Sequence, residues 1–204
     1  MRADGLHPDG VEIRPCADED LTALVGLSLR AWEPVFSSVR EVLGERTFAD
    51  VYPDWRAAQA DVVERVLAAE DTDALVADVD GVPAGYVVTA RRTEDAARVG
   101  EVELLAVDPE HQGRGLGGAL VEAALEQIRG YGVDLAVVAT GGDAGHDAAR
   151  TVYERAGFRL YPQVRGYRRL DEDGPLDPGE TPTASSRDRL STRTACRRRP
   201  AGRS

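Results

Sequence analysis

Four of the seven residues in Gln112-Gly113-Arg114-Gly115-Leu116-Gly117-Gly118 are glycine. They separate an apolar run, Val102 to Val107, from an amphipathic stretch that reaches about Arg129. Glycine in a helix interior costs about 1 kcal/mol relative to alanine, so this density needs a reason. A strand that turns through glycines into a helix N-terminus aims several backbone N–H groups at one spot. That spot lies at the positive end of the helix dipole and suits a phosphate or pyrophosphate. The spacing is not that of a P-loop, since no Lys-Ser/Thr pair follows and the chain has no lysine. It is not a dinucleotide fingerprint either: G-x-G-x-x-G fits neither register, and the strand lies mid-chain.

Read as Gln-x-x-Gly-x-Gly after Leu-Leu-Ala-Val-Asp-Pro, the segment resembles the acyl-CoA-binding signature of the GNAT N-acetyltransferase superfamily. Downstream, Ala149-Arg150-Thr151-Val152-Tyr153-Glu154-Arg155-Ala156-Gly157-Phe158 is similar to the superfamily's A-x-x-x-Y-E-x-x-G-F block. The two blocks occur in the family's order and at its separation, and the resemblance covers roughly residues 10–170. It implies an α/β fold: a mixed, mostly antiparallel central sheet, helices on both faces, and two parallel strands that splay at the cofactor site. It also implies acetyl-CoA as cofactor.

The periodicities agree with layers of helix and strand. Val11 to Arg14 alternates as a first strand. Asp18 is placed to cap a helix whose Leu21, Leu24, Val25, Leu27, Leu29 and Trp32 face inward, with Pro34 interrupting it before a second piece, Val35 to Leu43. Pro53 suits the first turn of a helix through Ala69, with Val62, Val63, Val66 and Leu67 as its core stripe. Ala74–Val79 and Val82–Thr89 read as a hairpin about Asp80-Gly81. Arg91 to Arg98 reads as a polar loop and Val99 to Val107 as the next strand. Val133 to Thr140 is nearly continuous in apolar residues, as in a strand buried on both faces. A short helix, Asp147 to Ala156, and two closing strands, Phe158–Tyr161 and Val164–Leu170, complete a domain over residues 1–170. Beyond it, residues 171–204 are rich in Gly, Pro, Ser, Thr and Arg and read as a disordered Arg-rich tail.

Acyl transfer from a thioester to an amine needs a base for the amine proton, stabilisation of the carbonyl oxygen and a donor for the departing thiolate. Glu101 and Glu103 are two apart on one strand, share a face, and repel, so one can have its pKa raised toward neutrality. The resemblance puts the base at one or the other and places Tyr153 beside the sulfur as the acid. It also assigns the backbone of Leu105, Ala106 and Val107 to the pantetheine arm. Gln112, Gly113, Arg114, Gly115, Leu116, Gly117 and Gly118 then surround the pyrophosphate, with Ala149 and His146 in the second block. His146 stands where the family often has Asn, and can bond the pantetheine arm or a catalytic water. Trp32, Glu33 and Phe36 gather aromatic and acidic character in the region that usually selects the acceptor; a cationic amine would suit them, as would a core or dimer contact.

The net charge of −11, with every one of the 25 basic residues an arginine, argues against nucleic acid as a partner. It suits a cationic small molecule. Cys16 and Cys196, and the scattered His7, His111 and His146, give no disulfide framework and no metal site; His7 and His111 read as surface residues. No signal-peptide core or membrane-length apolar run is present, which points to a cytoplasmic protein with no membrane partner. The expected activity is acetyl transfer from acetyl-CoA to a primary amine of a small molecule. The alternatives are acetylation of a protein N-terminus or lysine, and a non-catalytic acyl-CoA-binding module. A homodimer is left open.

Overall fold

A computed structural model describes residues 10–94 and 97–170. Five strands, β1 (Val11–Pro15), β2 (Thr72–Val79), β3 (Val82–Glu94), β4 (Ala97–Val107) and β5 (Ala136–Val138), form one sheet in sequential order. The first three pairings are antiparallel and β4–β5 is parallel. The helices are α1 (Leu21–Leu43), α2 (Glu45–Val51), α3 (Trp55–Leu67), α4 (Leu116–Gly130) and α5 (Asp147–Arg155).

The sheet has a core on each face. On one, Val76, Tyr86, Val88, Leu104 and Ala106 meet Leu24 and Leu27 of α1 and Val63 and Val66 of α3. On the other, Ala77, Val87 and Val102 meet Leu116, Leu120, Val121, Ala124 and Ile128 of α4 and Tyr153 of α5. Period-2 alternation over Tyr86, Val87 and Val88 of β3 divides the two sets, as a sheet covered on both faces requires. A buried polar junction fixes α1 and α3 to the sheet: Ser28 Oγ accepts from Gln59 Nε2 at 3.1 Å and from Tyr86 Oη at 3.2 Å. Gly100 lets α4 approach β4 closely, since a Cβ there would fall 2.4 Å from Ile128 Cγ2.

Several expectations are corrected. Pro34 does not interrupt α1, which runs unbroken to Leu43. A proline inside a helix costs about 3 kcal/mol, but here packing holds the helix on both sides of it: Leu24 and Leu27 before, and Phe36 stacked on Trp55 after. Asp18 does not cap α1. It starts a 3-10 turn, Asp18–Asp20, whose Asp20 takes a fork from Arg14 (2.7 and 2.8 Å) and the Ala17 N–H at 2.8 Å. Leu21 is 37% exposed rather than inward. The cap of α3 is Asp54, which accepts from Ala57 N at 3.0 Å.

Arg91–Arg98 is no loop on its described residues, because β3 and β4 stay paired from Arg91↔Gly100 out to Glu94↔Ala97. Ion pairs of Arg91 with Asp73 and of Arg92 with Asp71 allow such polar residues to remain in strand. The apolar run Val133–Thr140 contributes only three strand residues, all half-buried, because β5 has a neighbour on one edge alone. Neither Phe158–Tyr161 nor Val164–Leu170 is strand. Val164 and Leu170 are almost fully exposed, whereas Arg169 pairs with Asp50 of α2. The tail reading, residues 171–204, lies outside the described residues. Among the described residues, no helix is long and apolar enough to cross a membrane, and no group of His, Cys, Asp and Glu could hold a metal ion.

Candidate active site

The site begins where β4 and β5 part. Their ladder consists of Gly100↔Ala136, Glu101↔Val137 and Val102↔Val138. Beyond Val102, β4 continues against β3 as far as Gly85↔Val107 but has no described strand on its other side. The backbone of Leu105, Ala106 and Val107 therefore borders an open edge, where an extended chain bearing amides can add as a strand.

The chain leaves that edge through Asp108 and a 3-10 turn, Pro109–His111, into the glycine turn. Gly113 and Gly115 have φ of +74° and +86°, values that disfavour any side chain and account for both glycines. Gly115 immediately precedes α4, so the turn presents the first amides of a 15-residue helix. Gln112 Nε2 donates to Val107 O at 3.0 Å and ties turn to strand. A Cβ at Gly113 or Gly118 would meet nothing within 4 Å, and one at Gly117 would make ordinary contact with Val152. The turn is thus open toward solvent. Arg114 is exposed, and no described carboxylate engages it. Leu116 is buried and anchors the start of α4.

One β-bulge changes the side-chain pattern of β4. Val88 pairs with Leu104 and Thr89 with Val102, leaving Glu103 as the extra residue. Glu101 and Glu103 share a face as expected, but Leu104 and Ala106 join them on the α1/α3 side, where strict alternation would have sent both to the α4 side with Val102. Arg92 of β3 holds the two glutamates together. Its Nη2 donates to Glu103 Oε2 at 2.9 Å, its Nε lies 3.6 Å from Glu101 Oε2, and its Nη1 pairs with Asp71. Burial, and then the neighbouring Glu103 charge, push the Glu101 carboxyl above the ordinary carboxylate range, while Arg92 partly opposes them.

Tyr153 lies on α5 among the α4-side core, 5% exposed, with its ring edge-on to Phe158 at 5.8 Å. Burial raises its phenol to about 12. The glutamates and Tyr153 thus belong to opposite faces of the sheet, and the opening between β4 and β5 is where the two faces communicate. Ala149 packs half-buried on the same core as Tyr153.

His146 precedes α5, seven residues and two helical turns before Tyr153. Its Nδ1 lies 2.6 Å from Asp143 Oδ1 and its ring is edge-on to Trp32 at 5.9 Å. Its loop sits tight on α1. Gly145 N donates to Ser38 Oγ at 3.0 Å, and a Cβ on Gly145 would lie 2.7 Å from Val35 Cα. Burial alone would raise the Asp143 carboxyl, but hydrogen bonds from Ser38 and His146 hold it below its usual range.

Of the acceptor-side trio, Trp32 meets the second block through its edge-on contact with His146. Phe36 stacks on Trp55 at 4.4 Å and edges Tyr52 and Phe48, pinning α1, α2 and α3 together. Glu33 is exposed and pairs with Arg56 at 2.7 Å. A shallow cavity of about 260 Å³ lies beside this aromatic group, lined by Arg40, Phe48, Tyr52 and Trp55 among others.

Three residues here are not evident from sequence. Arg92 falls in the stretch that reads as a polar loop. Arg30 of α1 donates from Nε at 3.1 Å, and also from Nη2, to buried Asp108, tying the acceptor-side helix to the glycine turn across 78 residues of sequence. His111 is half-buried rather than a surface residue, and its Nδ1 is buried without a hydrogen-bond partner.

The Acetyltransferase (GNAT) family model matches residues 35–158, more than half of the chain. The chain belongs to the GNAT acetyltransferase family. Among curated relatives, a mycothiol acetyltransferase of Sanguibacter keddieii is 38% identical over 140 residues, 65% of this chain and 44% of that protein. One from Stackebrandtia nassauensis is 32% identical over 159 residues, 75% of this chain and 51% of that protein. The chain therefore spans about half the length of these relatives. Among solved structures, an aminoglycoside N-acetyltransferase in complex with CoA aligns over 78% of this chain and 98% of its own at a TM-score of 0.53 and 20% identity, a likeness of fold. That GNAT fold is the mixed five-stranded sheet with its parallel β4–β5 pair described above.

Proposed function

We propose that this chain transfers an acetyl group from acetyl-CoA to a primary amine of a small molecule. The observation that carries the reading is the open β4 edge from Glu103 to Val107 running straight into the left-handed glycines at the N-terminus of α4. A ligand that fits must pair through amides along an extended arm and end in a pyrophosphate, and the pantetheine and diphosphate of CoA have that chemistry. Leu105, Ala106 and Val107 line the arm. The turn from Gln112 to Gly118 takes the diphosphate, and exposed Arg114 adds a cation to it. Ala149 and His146 lie along the arm's other wall. The names of the curated relatives support a small acceptor, and Trp32, beside His146, is the aromatic that would meet it. Glu33 and Phe36 shape the approach from one step further out.

The thioester supplies an activated acyl carbon, and the protein's own groups handle the protons. Glu101, with its raised pKa, accepts the amine proton, directly or through water, and Glu103 stands beside it. Tyr153 remains a neutral phenol at physiological pH. Since a thiol titrates near ~8.5, a phenol at about 12 gives up its proton far less readily. Tyr153 therefore hydrogen-bonds the sulfur as negative charge develops there, rather than handing over its proton completely. Residues 171–204 are proposed to be a tail that the catalytic domain does not need.

The test is acetyl-CoA turnover, followed by thiol release, with a panel of small primary amines beside peptides bearing free N-termini or lysine. Acetylation of small amines supports the reading. Peptide acetylation alone would favour a protein acetyltransferase, and CoA binding without any turnover would favour a binding module.

A further inference from the structure

We propose that Arg92 is a positioning residue that gives the two glutamates different jobs: it fixes Glu103 as its ion-pair partner and leaves Glu101 as the carboxylate that exchanges the proton. The geometry is asymmetric. Arg92 Nη2 is within hydrogen-bond distance of Glu103 Oε2, at 2.9 Å, whereas its Nε approaches Glu101 Oε2 no closer than 3.6 Å. A third anchor, Asp71, takes Nη1 and keeps the fork from swinging toward Glu101. The bulge at Glu103 contributes as well, since an extra residue in β4 brings both carboxylates beside one β3 arginine. Glu103 Oε2 is committed to a direct charge-assisted hydrogen bond with the guanidinium. Glu101 feels the same cation without being pinned by it.

Among the described residues, the charged groups that bear on Glu101 are Glu103 on its own strand and Arg92 and Glu94 on β3, with Asp71 acting through Arg92. Both glutamates are about a quarter exposed, so solvent and substrate can reach them. Glu101 pairs with Val137 in the middle of the β4–β5 ladder, and Glu103 is the first residue beyond it. The two carboxylates therefore flank the point where the strands part.

The inference rests on the reading of Glu101 as the base, but its test needs neither acetyl-CoA nor an acceptor. The full chain is labelled with ¹³C at the glutamate carboxyls and titrated by NMR, with Glu101→Gln used to assign the Glu101 signal. Arg92→Gln should raise the Glu101 midpoint by about half a pH unit or more, because an opposing cation is gone. Glu103→Gln should lower it, because a like charge is gone and the freed guanidinium can close on Glu101. An arginine with no bearing on Glu101 would leave the midpoint unmoved in Arg92→Gln, whereas loss of the Glu103 charge lowers it in either case. A Glu101 midpoint that stays within about 0.2 unit of wild type in a folded Arg92→Gln protein overturns the proposal, since a cation this close shifts a carboxylate by more. If Arg92→Gln does not fold, Arg92→Met, which keeps an apolar stem without the cation, carries the same test: a raised Glu101 midpoint supports the proposal and an unchanged one overturns it. Undiminished acetyl transfer by Glu101→Gln would instead remove the base reading and leave the arginine's effect on Glu101 intact.

Discussion

Replacing Tyr153 with Phe separates two roles that a tyrosine at this position could play. The ring is 5% exposed and packs edge-on against Phe158. Burial is the cause that lifts its hydroxyl to about 12. Phenylalanine keeps the ring, and no described residue relies on the hydroxyl as a partner, so stability should change by less than about 1 kcal/mol. The pKa gap decides the catalytic magnitude. A phenol at about 12 facing a thiol near ~8.5 leaves full proton transfer uphill by about 5 kcal/mol. What the hydroxyl contributes is then a hydrogen bond to developing charge, about 1.5–3 kcal/mol, or a loss of roughly 10- to 150-fold in kcat. The KM for acetyl-CoA should stay within about threefold, because the interaction strengthens only as charge appears. Because the shift is upward, the hydroxyl remains a donor until the pH nears that value, so ionisation of Tyr153 should not limit the rate below about pH 10. Steady-state kinetics with thiol detection, alongside thermal melts of both proteins, makes the comparison. A kcat within about threefold of wild type in a folded Tyr153→Phe variant would refute the role, since that is less than one charge-assisted hydrogen bond.

Three further outcomes are expected. Gly100→Ala should destabilise the domain by about 1–3 kcal/mol, because the new methyl collides with Ile128, and shortening Ile128 to alanine in the same chain should cost less than the two separate losses combined, as read by urea unfolding. Asp20→Asn should cost about 2–3 kcal/mol by removing one side of the Arg14 fork; because the Asp20 carboxyl is held below its ordinary 3.8, the wild-type advantage should be intact above about pH 5 and fade as the pH falls through the folded-state value, a trend that unfolding curves between pH 2 and about 7 would reveal. Deleting residues 171–204 should leave the melting temperature and CoA affinity nearly unchanged, and a large loss of either would show that the segment supports the domain.

The parts of this protein that were legible in sequence are those set by local chemistry. The Asp80-Gly81 hairpin, the glycine turn, α4 and α5 all announce themselves through turn residues and periodicity. What was not legible depends on contacts far apart in the chain. Pro34 reads as a helix break until Phe36 is seen stacked on Trp55. Arg91 and Arg92 read as loop residues until Asp71, Asp73 and Glu103 are found waiting for them. The bulge at Glu103 has no sequence signature such as a glycine, and it sends Leu104 to the face opposite Val102. Val133–Thr140 has the composition of a central strand, yet β5 is an edge among the described strands and only three of its residues pair. For the site, the sequence shows the glycine turn before α4 and the position of Tyr153 on α5, both local features. It does not show that Arg92 of β3 lies between Glu101 and Glu103.

Calorimetry with CoA on three proteins asks whether the turn ending at Gly115 receives the diphosphate of CoA. Gly115 and Gly132 sit at opposite ends of α4 with similar left-handed φ, +86° and +67°, so a valine at either position imposes comparable backbone strain. Wild type and Gly132→Val should bind CoA alike, whereas Gly115→Val should bind at least tenfold more weakly, about 1.4 kcal/mol. Equal affinity for CoA in folded Gly115→Val and Gly132→Val proteins, or no binding by wild type, would show that this turn does not hold the diphosphate.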